Sequence, residues 1–172
     1  MGQAGFTLTE LLIAIAIVGI LAAIAIPGML RARRSGNEAS AIGSLRALNN
    51  AESSYASGAG EGGFATLLAT LATACPGSTA AFISPDLSID PAIKSGYTVS
   101  MAAAAASSPG PLDCNGTATQ TAYYSTAVPV AAGLSGLRAF ASSAAGAIFF
   151  DPTGVAPTEA QMAPGGGGRT IQ

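Results

Sequence analysis

Residues 5–26, GFTLTELLIAIAIVGILAAIAI, decide the fold of this 172-residue chain. Residues 11–26 are all apolar or small, and one carboxylate, Glu10, stands at the edge of the run. As an α-helix, residues 6–26 would be about 31 Å long, which matches the hydrocarbon thickness of a bilayer. A carboxylate beside a membrane-spanning run is costly and usually has a function. Glu10 is therefore the first candidate site residue.

The composition indicates a long apolar element attached to one small, weakly charged domain. Charged residues make up 9% of the chain, well below the ~25% of ordinary soluble domains. The net charge is −2, which argues against the basic surface of a nucleic-acid-binding protein. The chain contains no His, the commonest general base and metal ligand. We therefore expect no enzyme, no cofactor, no metal site and no direct nucleic-acid binding.

A second helical pattern follows the apolar run after an interruption at Pro27 and Gly28. Proline kinks a helix interior because it lacks a backbone donor. Beyond it, side chains recur at spacings of three and four residues; they are Ile42, Leu45, Leu48, Glu52 and Tyr55. Polar residues fall largely between them; these are Glu38, Arg46, Asn49 and Asn50. The pattern predicts one helix from about Thr7 to Ser57, kinked near Pro27, with a membrane-like first half and an amphipathic second half.

The rest of the chain predicts a short helix and a small sheet. Apolar residues at helical spacing indicate a helix over residues 64–71. Strand-like runs bounded by turn residues follow at 97–101, 122–128, 137–141 and 147–150. Their short connections favour antiparallel pairing. The predicted fold class is α+β, a long kinked helix packed on an antiparallel sheet of about four strands.

Two cysteines are candidates for a disulfide, and three arginines are candidates for a contact with the membrane surface. In an oxidising compartment Cys75 and Cys114 would pair, and two free buried thiols are the alternative. Three arginines directly follow the apolar run; they are Arg31, Arg33 and Arg34. They either end the membrane span or bind anionic lipid headgroups, and we favour the first interpretation. The acids on later loops match no calcium-loop pattern.

The combination of Gly5-Phe6, a placed Glu10, a long apolar run and a placed Pro27 resembles the N-terminus of a type IV pilin precursor. The resemblance covers residues 5 to about 55. It implies that a prepilin peptidase cuts after Gly5 and methylates the amine of the new N-terminal residue, Phe6. It also implies that Glu10 pairs with that amine on a neighbouring subunit.

The same resemblance implies a division of the chain into five parts. A leader occupies residues 1–5, a transmembrane or fibre-core helix 6–30, and an amphipathic neck-to-head helix 31–58. The globular head occupies 59–163, and the glycine-rich residues 164–172 form a flexible tail.

The implied function is that of a structural subunit of a type IV pilus, and twitching motility, adhesion, DNA uptake and biofilm attachment remain open as uses of the fibre. The subunit would sit in the bacterial inner membrane as a single-pass protein and later form part of an extracellular fibre. Its partners would be other copies of itself, the prepilin peptidase, the pilus assembly machinery and inner-membrane lipid. A pseudopilin of a type II secretion system and a membrane-anchored binding protein are the alternatives. The chain lacks Trp, whereas major pseudopilins end in a calcium loop with Trp-Gly pairs, so we favour the pilus.

Overall fold

The computed structural model describes residues 5–171. The leader prediction, apart from Gly5, and the last tail residue, Gln172, lie outside this range. The helices are α1 (Leu8–Ser57), α2 (Leu68–Ala72), α3 (Glu159–Met162) and a 3₁₀ turn at Pro85–Leu87. The strands are β1 (Ala92–Lys94), β2 (Tyr97–Ala103), β3 (Pro109–Leu112), β4 (Ala118–Gln120), β5 (Tyr123–Pro129), β6 (Ala139–Ser143), β7 (Ile148–Asp151) and β8 (Arg169–Thr170).

The first helix is one continuous element of 50 residues. It begins with Thr7 as its N-cap, and Gly58 is its C-cap, whose N–H donates to the carbonyl of Ser54. Pro27 lies inside this helix rather than at its end. The single long helix predicted from residues 7–57 is thus confirmed, while the kink near Pro27 stays a prediction.

The head contains a six-stranded sheet in the order β1-β2-β5-β6-β7-β8, with every neighbouring pair antiparallel. Strands β3 and β4 form a separate hairpin in the connection from β2 to β5. The α+β class is confirmed, but the expected number of about four strands was wrong. The four predicted runs correspond to β2, β5, β6 and β7. The added strands have only two to four residues each, too short for an alternating pattern to show.

The glycine-rich end, predicted as a flexible tail, instead contributes β8 to the sheet edge. Arg169 lies opposite Phe150 in register, and the N–H of Ile171 donates to the carbonyl of Ile148 at 2.9 Å. Gly168 approaches the backbone of Gln161 so closely that a Cβ there would collide with it. Gly168 therefore serves close packing of the backbone, a use that composition does not distinguish from a linker.

The core lies between the second half of α1 and one face of the sheet. Its fully buried large side chains include Leu45, Leu48, Tyr55, Tyr97, Val99 and Phe140. The first half of α1 has no such partner. Its large apolar side chains from Leu8 to Leu30 are each 47–79% exposed.

Candidate membrane and assembly interface

The first half of α1 presents a long, continuous apolar surface within residues 5–171. Thirteen large apolar side chains lie uncovered between Leu8 and Leu30. At roughly 1.5 kcal/mol for each, covering them is worth on the order of 20 kcal/mol. Within residues 5–171, α1 is the one helix that is long and apolar enough to cross a membrane, judged by length and composition. A surface of this size marks an interface with a bilayer or with other proteins.

Glu10 is engaged in a capping box at the start of this surface. Its Oε2 accepts hydrogen bonds from the Thr7 N–H at 2.9 Å and the Thr7 hydroxyl at 2.7 Å. The Thr7 Oγ1 accepts in turn from the Glu10 N–H at 3.2 Å. Both partners are exposed, and Glu10 Oε1 has no hydrogen bond within residues 5–171. In a single subunit Glu10 therefore organises the first helical turn, a role that the sequence analysis missed.

Gly5 and Phe6 lie just before the capped turn, outside regular structure. Phe6 is 86% exposed. Pro27 and Gly28 lie about 25 Å further along the helix axis, and the Pro27 carbonyl accepts from the Arg31 Nε at 3.3 Å. The structure thus groups Gly5, Phe6 and Glu10 together and places Pro27 well away from them.

Glu38 joins α1 to the head through a partly buried ion pair with Arg138. Its Oε1 accepts from the N–H groups of Leu137 at 2.9 Å and Arg138 at 3.2 Å. Its Oε2 contacts the Arg138 Nε at 2.8 Å and Nη2 at 2.7 Å. Burial works to raise the pKa of the Glu38 carboxyl, but these hydrogen bonds and the guanidinium charge together hold it below its usual range. The Arg138 guanidinium also lies over the rings of Phe140 and Phe150.

Glu38 was expected on the polar side of the helix, and this was wrong. The buried stripe of α1 contains Glu38, Ala41, Leu45, Leu48, Glu52 and Tyr55. Glu38 is therefore in helical phase with Leu45, which is the signal that could have placed it against the sheet. Asn49, also assigned to the polar side, accepts on its Oδ1 from the hydroxyls of Tyr123 and Ser142, each at 3.0 Å.

Glu52 is a completely buried carboxyl inside the head. Its Oε2 accepts from the Ala65 N–H at 3.0 Å, while its Oε1 has no hydrogen-bond partner. Burial raises the pKa of the Glu52 carboxyl to about 8, and the Ala65 hydrogen bond lowers it only in part. Glu52 is therefore mostly protonated at neutral pH. Its position in the apolar stripe was recognised from spacing, but its protonation state was not.

Cys75 and Cys114 form a disulfide, with Sγ–Sγ 2.02 Å and Cα–Cα 5.6 Å. The bond ties the segment after α2 to the turn between β3 and β4. In that turn Asp113 accepts from the Tyr55 hydroxyl at 2.8 Å and from the N–H groups of Asn115 and Thr117. Among residues 5–171, no three His, Cys, Asp or Glu side chains converge as a metal-binding group.

An N-terminal helix with an exposed apolar half and a compact head on its other half defines a class of helix-anchored proteins. Residues 1–26 match the family model of the prokaryotic N-terminal methylation motif. A segment of 51 residues is 47% identical to the type IV major pilin protein PilA of Myxococcus xanthus (strain DK1622). The segment is 30% of this chain and 23% of that protein, so the match spans about a quarter of the relative's length. No solved structure matches the chain. The N-terminal region is therefore similar in sequence to that of a type IV major pilin, and the α+β fold is consistent with a pilin fold.

Proposed function

We propose that the protein is a structural subunit of a type IV pilus and not an enzyme. The observation that carries the proposal is the exposed apolar half of α1, which bears the methylation motif within residues 1–26. In water this surface is unfavourable by on the order of 20 kcal/mol. A bilayer before assembly and a fibre core after it would both cover the surface. Because both environments are apolar, transfer of the helix between them is nearly balanced.

The subunit is stored in the bacterial inner membrane as a single-pass protein and is then added to an extracellular fibre of identical copies. Prepilin peptidase cleaves after Gly5 and N-methylates Phe6. Support comes from the motif match and from the exposure of Gly5 and Phe6 ahead of the capped turn. The assembly machinery then extracts the helix, and a kink at Pro27 and Gly28 gives it a weaker point at which to bend.

In the fibre, Glu10 pairs with the amine of Phe6 on a neighbouring subunit and so sets the axial register. An α-amino group has a pKa near 8 and is mostly cationic at neutral pH. Apolar contacts along α1 are not directional, whereas a charge pair between apolar helices has a definite partner. Removing one member of such a buried pair costs about 3–5 kcal/mol.

Two substitutions separate the charge of Glu10 from its capping role. Glu10→Gln keeps an acceptor for the Thr7 N–H, since Gln also serves in capping boxes, but removes the charge. Thr7→Ala removes the cap and leaves the Glu10 carboxylate in place. We expect Glu10→Gln to abolish surface fibres with normal membrane insertion, and Thr7→Ala to retain them. Wild-type fibre yield from Glu10→Gln, measured by shearing and electron microscopy, would refute the register role.

The processing step is tested on the subunits of sheared fibres by intact-mass spectrometry and N-terminal sequencing. We expect a chain that begins at Phe6 and carries one extra methyl group. Subunits that retain Met1 would contradict cleavage after Gly5. A deletion strain that keeps its pili but loses protein secretion would instead indicate a secretion pseudopilin.

A further inference from the structure

The connection between β5 and β6, residues 130–138, lies beside α1 at the end of the apolar run. A cleft between the two elements is lined by Leu30, Arg33 and Asn37 from α1 and by Leu134 and Ser135 from the connection. Leu30 is the last apolar residue before Arg31. Any bilayer that covers the apolar half of α1 therefore has its surface at the level of this cleft.

Leu134 is an exposed apolar residue at that level. Its side chain is 72% exposed and that of Leu30 is 47% exposed, although both line the same cleft. The headgroup layer is about 5–7 Å thick on each side of the hydrocarbon, so a side chain at the depth of Leu30 falls inside the interface.

The connection holds Leu134 in a fixed position relative to α1. The Asn37 Nδ2 donates to the Ser135 carbonyl at 2.8 Å, and Glu38 binds the N–H of Leu137. Within the connection, the Ser135 N–H donates to the carbonyl of Ala131 at 2.9 Å. The depth of Leu134 is therefore set by the depth of the helix and not by loop motion.

Three arginines surround the same level of the helix. Arg31 and Arg33 are exposed, and Arg34 is half-buried with an Nε that has no hydrogen-bond partner. Within residues 5–171 none of the three forms a salt bridge, because the acidic side chain closest in sequence, Glu38, is bound to Arg138. Unpaired guanidinium groups at a membrane surface favour phosphate oxygens.

We propose that before assembly the head rests on the bilayer surface, with Leu134 inserted beside Leu30 and with Arg31, Arg33 and Arg34 bound to anionic phospholipid headgroups. This inference rests on the proposed membrane storage of the subunit, and it replaces the preference drawn from the sequence, in which the three arginines only end the span. The contact selects one orientation of the head over the membrane. It also makes extraction of the helix depend on the lipid charge.

The absence of Trp from the chain allows a single-tryptophan experiment on the full-length protein in lipid vesicles. Leu134→Trp reports on the proposed contact. Leu67→Trp is the matched control, since Leu67 is also exposed, at 50%, but lies near Glu52, about 33 Å along α1 from Leu30. Ile15→Trp reports on insertion of the helix itself. Fluorescence is measured in vesicles of phosphatidylcholine alone or mixed with phosphatidylglycerol, with and without lipids brominated on their acyl chains.

We expect brominated lipid to quench Trp at position 134 in phosphatidylglycerol vesicles and to leave Trp at position 67 unquenched. Arg31→Gln, Arg33→Gln and Arg34→Gln combined should remove most of the quenching at position 134. Equal quenching in both vesicle compositions would overturn the assignment to anionic headgroups. A blue shift without quenching would place a second copy of the chain, rather than lipid, on Leu134 and would overturn the proposal.

The Ile15→Trp variant, which reports on insertion of the helix, separates failure of this inference from failure of the proposed function. Quenching at position 15 without quenching at position 134 would overturn head docking while membrane storage stands. No quenching at either position would overturn membrane storage itself, and the docking proposal with it.

Discussion

Replacement of the buried Glu52 by Gln should make the stability of the head almost independent of pH between pH 5 and 9. In the folded protein the Glu52 carboxyl is fully buried and its pKa is raised to about 8 from 4.5. The folded state therefore holds a proton that the unfolded state releases above pH 4.5. Stability is greatest where both states are protonated and falls as the pH rises through this window. Gln keeps the acceptor for the Ala65 N–H but does not titrate.

The size of the effect follows from the distance between the two pKa values. Between the two pKa values, the free energy of unfolding falls by about 1.36 kcal/mol for each unit of increase in pH. The wild-type protein should thus lose about 2 to 3 kcal/mol between pH 5 and pH 7, a large part of the total stability of a small domain. Below about pH 5 the trend reverses, because the lowered pKa values of Glu38 and Asp113 make their stabilisation disappear as pH falls. We expect an optimum near pH 5.

The measurement is chemical denaturation of the full chain in nonionic detergent at a series of pH values. Unfolding of the head is followed by near-ultraviolet circular dichroism, since Tyr55, Tyr97 and Tyr123 are buried in its core. Glu61→Gln, at an exposed turn residue, is the control and should keep the wild-type slope. An unchanged slope in Glu52→Gln, or a wild-type slope of zero above pH 5, would refute the argument.

Two further predictions concern the links that hold the head together. Replacing Cys75 and Cys114 by Ser opens a crosslink over 39 residues. The free energy of unfolding should fall by about 4 kcal/mol, and denaturation with and without a reductant should show the same loss in the wild type. Glu38→Gln removes the charge opposite Arg138 and should cost about 2 kcal/mol, against less than ~0.5 kcal/mol for Glu61→Gln. Equal unfolding midpoints for these two variants would show that the ion pair adds nothing.

The long helix was predictable because both sequence patterns that indicate it are local. An apolar run near the length of a bilayer and a stripe at helical spacing each depend on residues close in sequence. The strands β2, β5, β6 and β7 were predictable for the same reason. Strands β1 and β8 could not be predicted from the sequence. They are too short to show an alternating pattern, and they are strands because they pair with a longer neighbour.

The polar contacts of the helix show where sequence reasoning stops. Glu38 and Glu52 both lie in the buried stripe, yet one is charged beside Arg138 and the other is protonated. The difference arises from the residues of the head that lie opposite each carboxyl. Glu38 meets Leu137, 99 residues later in the sequence, and Glu52 meets Ala65, 13 residues later. The capping role of Glu10 was visible in its spacing from Thr7, but the membrane context directed attention to its charge alone.

The edges of the sheet limit how copies of this protein can associate. The outer strands, β1 and β8, have only three and two residues. Lys94 is in one and Arg169 in the other, and lysine and short length are common protections against edge-to-edge pairing. In the proposed membrane and fibre states, copies of this protein would lie side by side. The six-stranded sheet thus offers little free backbone at its edges for strand addition or amyloid-like growth, which would leave the proposed self-association to the helix.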